Sequence, residues 1–146
     1  MDTSLQVVCP HCDAINRVPA ARLGEGPRCG TCRAALFEAK PVALSEARFR
    51  RHLRHSGIPL LVDFWESWCG PCRAMAPAFE AAAQSLEPRM RLVKVSTEEA
   101  PGLAAELAIS SIPTLALFAG GREVARQAGA LPARSIIAWA GANMAA

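Results

Sequence analysis

The chain has 146 residues, of which 51% are hydrophobic and 20% charged, and its formal net charge is +3 at pH 7. This length allows one domain of ordinary size and a small appendage, and a net charge this small does not indicate nucleic acid or a membrane surface as a partner. Because no apolar run reaches the roughly 18 residues that a spanning helix needs, we expect no membrane-spanning segment.

The N-terminus and the cysteines indicate the compartment. Residues 1–8 include the acidic Asp2 and contain no basic segment or long apolar run, so they do not resemble a secretion signal. Six cysteines form three Cys-x-x-Cys pairs. In a reducing compartment such pairs are metal ligands or redox centres rather than structural disulfides. We therefore expect a cytoplasmic protein.

Residues 1–38 form a candidate zinc-binding ribbon. A segment this short buries too little surface to fold by itself, so it needs a cross-link such as a bound metal. Two cysteine pairs separated by 16 residues have the spacing of a tetrahedral four-cysteine site. The predicted ligands of one Zn²⁺ are Cys9, Cys12, Cys29 and Cys32. A second dithiol or an oxidised clip is the alternative, and His11 should be exposed. After a connector at Lys40-Pro41, a domain of residues 42–146 follows.

The first predicted helix of that domain is strongly basic. Ser45 is a suitable N-cap for a helix that runs through Arg54, with Leu44 and Phe49 placed as a hydrophobic staple. Residues 48–55, called the basic segment below, contain four Arg and two His. We expect them to form a solvated helix face, or alternatively a docking surface for acidic partners.

The remaining predicted elements alternate between strands and helices. Strands are predicted over 60–65, 90–95, 114–118 and 123–128, and helices over 70–86, around 103–107 and from about Pro132. Pro77 should kink the second helix, and Gly120-Gly121 indicates a hairpin. The last helix should bury Ile136, Ile137 and Ala140. This order predicts an α/β fold, a mixed sheet with helices on both faces.

The run Trp68-Cys69-Gly70-Pro71-Cys72 follows a predicted buried strand and opens a helix, which suits thiol–disulfide exchange. Free N–H groups and the helix dipole favour a thiolate at Cys69. Cys72 lies one turn later, within disulfide reach, and Pro71 stiffens that turn. We therefore predict that Cys69 attacks a target disulfide and Cys72 resolves the mixed disulfide. A metal knuckle is the alternative interpretation.

These residues resemble the thioredoxin family. The resemblance covers about residues 42–143. Its motifs are Val62-Asp63-Phe64-Trp65, residues 68–72, Pro77, Ile112-Pro113-Thr114, Gly120-Gly121 and Gly129-Ala130. With the N-terminal cysteine pairs, the whole chain is similar to the zinc-containing thioredoxin-2 class. The resemblance implies the thioredoxin fold and protein-disulfide reductase activity.

Asp63 is the only charged residue in the apolar strand 60–65. Burial without a full partner raises the pKa of a carboxyl group, which suits a proton acceptor near neutral pH. The resemblance implies that Asp63 helps to deprotonate Cys72 and that Lys94 lies close to Asp63. The alternatives are a partly exposed structural acid at position 63 and, at position 94, a simple charge on a strand.

The resemblance also implies a substrate surface, a cis bond before Pro113 and a set of partners. The surface would comprise Trp68, Gly70, Pro71, Ile112, Pro113 and Gly129. Partners would be oxidised protein substrates and a flavin-dependent thioredoxin reductase that uses NADPH, with no flavin or nicotinamide on this chain. We expect a monomer. Two rival functions remain, an oxidant or isomerase, and a zinc-ribbon interaction module with the larger domain as a scaffold.

Overall fold

The computed structural model describes residues 3–144 as a five-stranded sheet with helices and an N-terminal hairpin. The strands are β1 (Ser4–Val8), β2 (Ile15–Pro19), β3 (Val42–Ala43), β4 (Leu60–Trp65), β5 (Arg91–Ser96), β6 (Thr114–Ala119) and β7 (Arg122–Ala128). The helices are α1 (Glu46–His55), α2 (Gly70–Leu86), α3 (Pro101–Glu106) and α4 (Ala133–Met144). In the described part of the chain, no helix has the length and apolar character needed to cross a bilayer.

β4 is the central strand of the sheet, whose order is β3-β5-β4-β6-β7. It runs parallel to β5 and antiparallel to β6. In this register Asp63 lies opposite Lys94 on one side and Leu115 on the other. The predicted mixed sheet is therefore confirmed, and the acidic residue lies in its middle.

Helices cover both faces of the sheet, as the sequence predicts. One apolar cluster packs α2 and α4 on one face, and a second cluster packs α1 and α3 on the other. The Ser45 hydroxyl accepts a hydrogen bond from the Arg48 N–H at 3.3 Å, which confirms the predicted cap of α1. Leu44 and Phe49, the predicted staple, are both buried in the second cluster.

Three details differ from the prediction. The sequence analysis found little periodicity in the N-terminal segment, yet β1 and β2 pair there as an antiparallel hairpin. The short strand β3 adds a parallel edge beside β5. Ile136 and Ala140 of α4 are buried, whereas Ile137 is only partly buried against the same cluster.

The basic segment is neither a free solvated face nor a free docking surface, because it holds the N-terminal ribbon. The Arg48 guanidinium donates to both carboxylate oxygens of Asp13, at 2.8 and 2.9 Å, and to the Pro10 carbonyl oxygen at 2.9 Å. His52, which is buried, contacts the same carboxylate, and Arg51 donates to the Asp13 carbonyl oxygen. The acidic partner of this helix is therefore part of the chain itself.

A second set of contacts fixes the ribbon to the start of the central strands. The Gly57 N–H donates to the Gln6 carbonyl oxygen of β1 at 2.7 Å, and a Cβ at Gly57 would lie 2.8 Å from the Gln6 nitrogen. Arg91 donates to the Val8 carbonyl oxygen and lies 4.6 Å from the centre of the Phe37 ring. The ribbon thus lies at the N-terminal ends of β4 and β5.

We predict that Arg48→Gln loosens the ribbon. The substitution removes a two-pronged charged hydrogen bond to Asp13, which should lower the free energy of unfolding by about 1–2 kcal/mol. Hydrogen exchange at the amides of β1 and β2 should accelerate more than exchange in β4 or β6. Urea denaturation and exchange mass spectrometry measure the two effects.

Arg54→Gln is the matched control, because Arg54 lies on the same helix, is exposed, and makes no side-chain hydrogen bond within residues 3–144. It should leave both measurements unchanged. Equal acceleration in the two variants would show that the ribbon does not depend on the contact with Asp13.

Candidate active site and metal centre

The N-terminus of α2 holds a dithiol in its oxidised form. Cys69 is the N-cap residue of the helix, and Cys72 lies in the first turn with Pro71 before it. Their sulfur atoms form a disulfide across a Cα–Cα distance of 5.2 Å. The Cys72 N–H donates to the Cys69 sulfur at 3.3 Å, as expected where a helix N-terminus stabilises negative charge.

Access to this disulfide is narrow. Cys69 is only 6% exposed, and Cys72 is 2% exposed. Gly70 has open space where a side chain would project, so it leaves the approach to the sulfurs clear. Trp68 beside it is 64% exposed, which makes it the most prominent apolar side chain at the site.

The loop before β6 borders the disulfide. The Ile112–Pro113 bond is cis, as the resemblance implies, and the Ile112 carbonyl oxygen lies 3.8 Å from the Cys69 sulfur. The Gly129 N–H donates to the Pro113 carbonyl oxygen at 2.9 Å. Gly129 has φ +96°, a conformation that L side chains rarely adopt. The structure therefore brings the predicted substrate residues 112, 113 and 129 together around the dithiol.

Asp63 is fully buried, and neither of its carboxylate oxygens has a hydrogen-bond partner among residues 3–144. Burial raises its pKa to about 7, and the positive charge of Lys94 opposes this shift. Lys94 lies beside Asp63 in the register, but its Nζ is 4.1 Å from the centre of the Trp65 ring. The alternative of a partly exposed acid is wrong, and Lys94 acts on Asp63 through its charge.

Glu66 is a buried residue that the sequence analysis missed. Its Oε1 accepts hydrogen bonds from the Ser96 hydroxyl and from the Glu98 N–H. Glu98 in turn accepts a hydrogen bond from the Trp68 indole N–H at 2.9 Å. These contacts tie the end of β5 to the active-site loop. Only its place between Trp65 and the Cys-x-x-Cys motif could have indicated this role.

The other four cysteines form a compact cluster in the ribbon. Their sulfur atoms all lie within 4.8 Å of one another, and two of the sulfur pairs are 3.6 Å apart. A tetrahedral site with metal–sulfur distances of about 2.3 Å requires sulfur–sulfur distances of about 3.8 Å. The cluster comprises Cys9, Cys12, Cys29 and Cys32, the residues predicted from the spacing.

The two halves of this cluster are built alike. Asp13 and Arg33, each following the second cysteine of its pair, have φ +64° and +71°. The Cys9 sulfur accepts from the His11 N–H at 3.3 Å, and the Cys29 sulfur accepts from the Thr31 N–H at 3.4 Å. Amide groups that surround thiolates in this way are typical of metal knuckles. His11 contacts Glu38 and is half exposed, so it stays outside the four-sulfur set.

The four sulfur atoms of the ribbon are a suitable set of ligands for a cation. The backbone N–H of Cys32 is the main cause that lowers the pKa of Cys29 to about 5, whereas burial raises the pKa of Cys9 to about 12. The Cys9 thiol therefore stays protonated at neutral pH unless a positive charge lies beside it. A divalent metal would stabilise all four as thiolates, and four sulfur ligands fit Zn²⁺.

Burial of Asp63 generates a pH-dependent prediction. The folded state keeps the proton up to about pH 7, whereas the unfolded state loses it near the ordinary value of 3.8. The free energy of unfolding therefore falls as the pH rises between these values, by up to about 4 kcal/mol. Asp63→Asn should raise it by up to this amount near pH 8 and hardly change it near pH 4, as measured by urea denaturation.

Glu66→Gln is the matched control, because hydrogen bonds from residues 96–98 outweigh the effect of its burial and lower the pKa of that carboxyl group. This variant should lose stability near pH 8 rather than gain it. A gain at position 63 that is equal at both pH values would show that ionisation of Asp63 carries no cost in the fold.

Two family models match this chain. The model described as thioredoxin matches residues 40–142, and the model described as the N-terminal part of thioredoxin 2 matches residues 8–34. Thioredoxin C-3 of Corynebacterium nephridii is 41% identical over 133 residues, which are 91% of each chain. The chloroplastic M-type thioredoxin of Chlamydomonas reinhardtii is 37% identical over 82% of this chain and 88% of its own length.

The fold comparison agrees with the sequence comparison. A crystal structure of a chloroplastic thioredoxin z superposes with a TM-score of 0.66 at 31% identity, covering 73% of this chain and 96% of its own. The match therefore extends over nearly all of that protein. The chain belongs to the thioredoxin family and is a thiol–disulfide oxidoreductase with an N-terminal four-cysteine ribbon.

Proposed function

We propose that the chain reduces disulfide bonds in other proteins, with Cys69 as the nucleophile and Cys72 as the resolving thiol. The observation that carries this proposal is the Cys69–Cys72 disulfide at the start of α2, bordered by the cis Ile112–Pro113 loop. Trp68, Gly70, Pro71, Ile112, Pro113 and Gly129 would form the surface that receives the substrate.

The reaction transfers two electrons in two exchanges. The Cys69 thiolate attacks one sulfur of the target disulfide, forms a mixed disulfide and releases the other target sulfur as a thiolate. Cys72 then gives its proton to Asp63 and attacks the Cys69 sulfur, which releases the second target thiolate. The target gains two electrons, and this chain is left with its own disulfide. Lys94 would tune Asp63 by its charge.

The alternation of β4 supports the role of Asp63. Successive side chains of a strand point to opposite faces, and Leu61 packs in the cluster under α2 and α4. Asp63, two residues later, faces the same helix α2 whose first turn carries Cys72. A pKa of about 7 lets its carboxylate accept a proton at neutral pH.

The oxidised chain would be recharged by an NADPH-dependent thioredoxin reductase, and this chain itself would bind neither flavin nor nicotinamide. We place it in the cytoplasm as a monomer.

A coupled assay tests the proposal, in which NADPH oxidation by the reductase should depend on this chain and on an oxidised protein substrate. Catalysis of disulfide formation without reduction would favour an oxidase or isomerase instead.

The four ribbon cysteines are proposed to hold one structural Zn²⁺. The two knuckles supply a closed set of four sulfurs, and a closed set is typical of structural zinc rather than catalytic zinc. The ribbon lies at the N-terminal end of β4, and the dithiol follows its C-terminal end. Six residues of strand span about 20 Å, so the metal would not take part in the exchange.

We predict that Cys72→Ser traps substrates as stable mixed disulfides on Cys69. Without the second thiol, the mixed disulfide has no internal route to resolution, and only external thiols release it. Partners captured from a lysate should migrate with the variant on non-reducing gels and separate from it after reduction.

Cys69→Ser is the matched control and should capture almost nothing, since Cys72 is more buried and lies further into the helix. Equal capture by the two variants, or attachment of partners to any of the four ribbon cysteines, would contradict Cys69 as the nucleophile.

Metal analysis tests the ribbon. We expect one zinc per chain, with four sulfur ligands in X-ray absorption spectra and none on the dithiol. Chelation should unfold mainly residues 1–38 and should largely preserve the reduction of small disulfides. Fewer than four sulfur ligands, or loss of that activity together with the metal, would refute a separate structural site.

A further inference from the structure

The ribbon carries a cleft that neither the dithiol nor the metal cluster uses. Its volume is about 320 Å³, and it lies between β2 and the segment 22–28. Arg17, Arg22 and Arg28 line it, together with one acid, Glu25. Three guanidinium groups and one carboxylate therefore share a single concave surface.

The positive charge of this cleft is not neutralised within residues 3–144. None of the three arginines forms a salt bridge there. Asp13 and Glu38, the other acids of the described ribbon, are already paired with Arg48 and His11. A partner that carries carboxylates would supply the missing negative charge.

The backbone beside the cleft is also open to a partner. The hydrogen bonds from Ala20 to Thr3 and from Cys9 to Ala14 set the alternation of the β1–β2 ladder. This alternation directs the N–H and C=O of Arg17 away from β1, while Gln6 opposite uses its carbonyl oxygen for Gly57. An extended segment can therefore pair with the outer edge of β2.

We propose that this cleft binds an extended acidic segment of a partner protein. Carboxylates of that segment would pair with Arg17, Arg22 and Arg28, and an apolar residue would cover Ile15, which is 40% exposed and on the same face of β2 as Arg17. None of the described residues that line the cleft is aromatic, so bases would find no aromatic stacking platform there, whereas the open edge of β2 suits a polypeptide backbone. The observations therefore favour protein over nucleic acid.

This binding is separate from disulfide exchange. The cleft belongs to the ribbon, and the ribbon lies at the end of β4 opposite to the dithiol. A partner held there by its acidic segment would stay bound whether or not its disulfide is being reduced. Binding can therefore be measured on the oxidised chain with a ligand that contains no cysteine.

The probe is a short fluorescein-labelled peptide of alternating Glu and Val, titrated with the oxidised full-length chain and followed by fluorescence anisotropy. Arg17→Gln and Arg22→Gln should each weaken its binding about threefold, and the double variant about tenfold. Arg54→Gln and Arg122→Gln are matched controls, since both residues are exposed arginines outside the cleft. They should leave the affinity unchanged.

A variant that gains peptide affinity separates a specific effect from misfolding, because a misfolded chain would only lose affinity. Glu25→Gln removes the one acid of the cleft and should tighten peptide binding about threefold. Reduction of a small disulfide should be unchanged in every variant, because none of them touches the dithiol.

Three outcomes would overturn the proposal. Equal weakening of peptide binding in Arg54→Gln and Arg122→Gln would show that only the net charge of the chain matters. Equal affinity for a peptide of alternating Lys and Val would remove the charge complementarity. Tighter, Arg17-dependent binding of a single-stranded oligonucleotide would make nucleic acid the ligand.

Discussion

Asp63 keeps its carboxyl group in the middle of the central strand, where no hydrogen-bond donor among residues 3–144 reaches it. Ionisation of this group would lower the free energy of unfolding, so burial of the two apolar clusters on either side of β4 must offset that loss. The same burial brings the pKa of the group to about 7. Burial of Asp63 therefore both lowers the stability of the fold when the group ionises and lets the group accept a proton at neutral pH.

The ribbon depends on a different kind of constraint. Its own apolar cluster is small, with Val7, Val18 and Leu36 as the buried residues besides two cysteines, so contacts with the larger domain, and the proposed metal, would compensate for the lack of a large core. The domain provides that neighbour through Arg48 and Arg91, which contact carbonyl oxygens and acids of the ribbon. The knuckle at Asp13 is therefore held both by its sulfurs and by α1.

The sequence predicted the features whose determinants are local. The dithiol, the four-sulfur set and the chain order of strands and helices follow from spacing and from runs of apolar residues, and the cis bond before Pro113 followed from a resemblance. The use of the basic segment could not be predicted, because Arg48 and His52 find Asp13 at a separation of 35 and 39 residues. β1 was missed because its exposed and buried residues do not alternate regularly, and Glu66 because its partners lie at the end of β5 and in the turn that follows it.

Gly57 has a consequence for how such a chain can arise. Any side chain at this position would collide with the backbone of Gln6, so the loop before β4 already has the shape that the ribbon requires. If the same ribbon were fused to a family member with a larger residue at this position, the ribbon and the domain would share one chain without a matching contact surface. A recombination breakpoint at the connector would therefore separate the ribbon from the loop in which Gly57 accommodates Gln6.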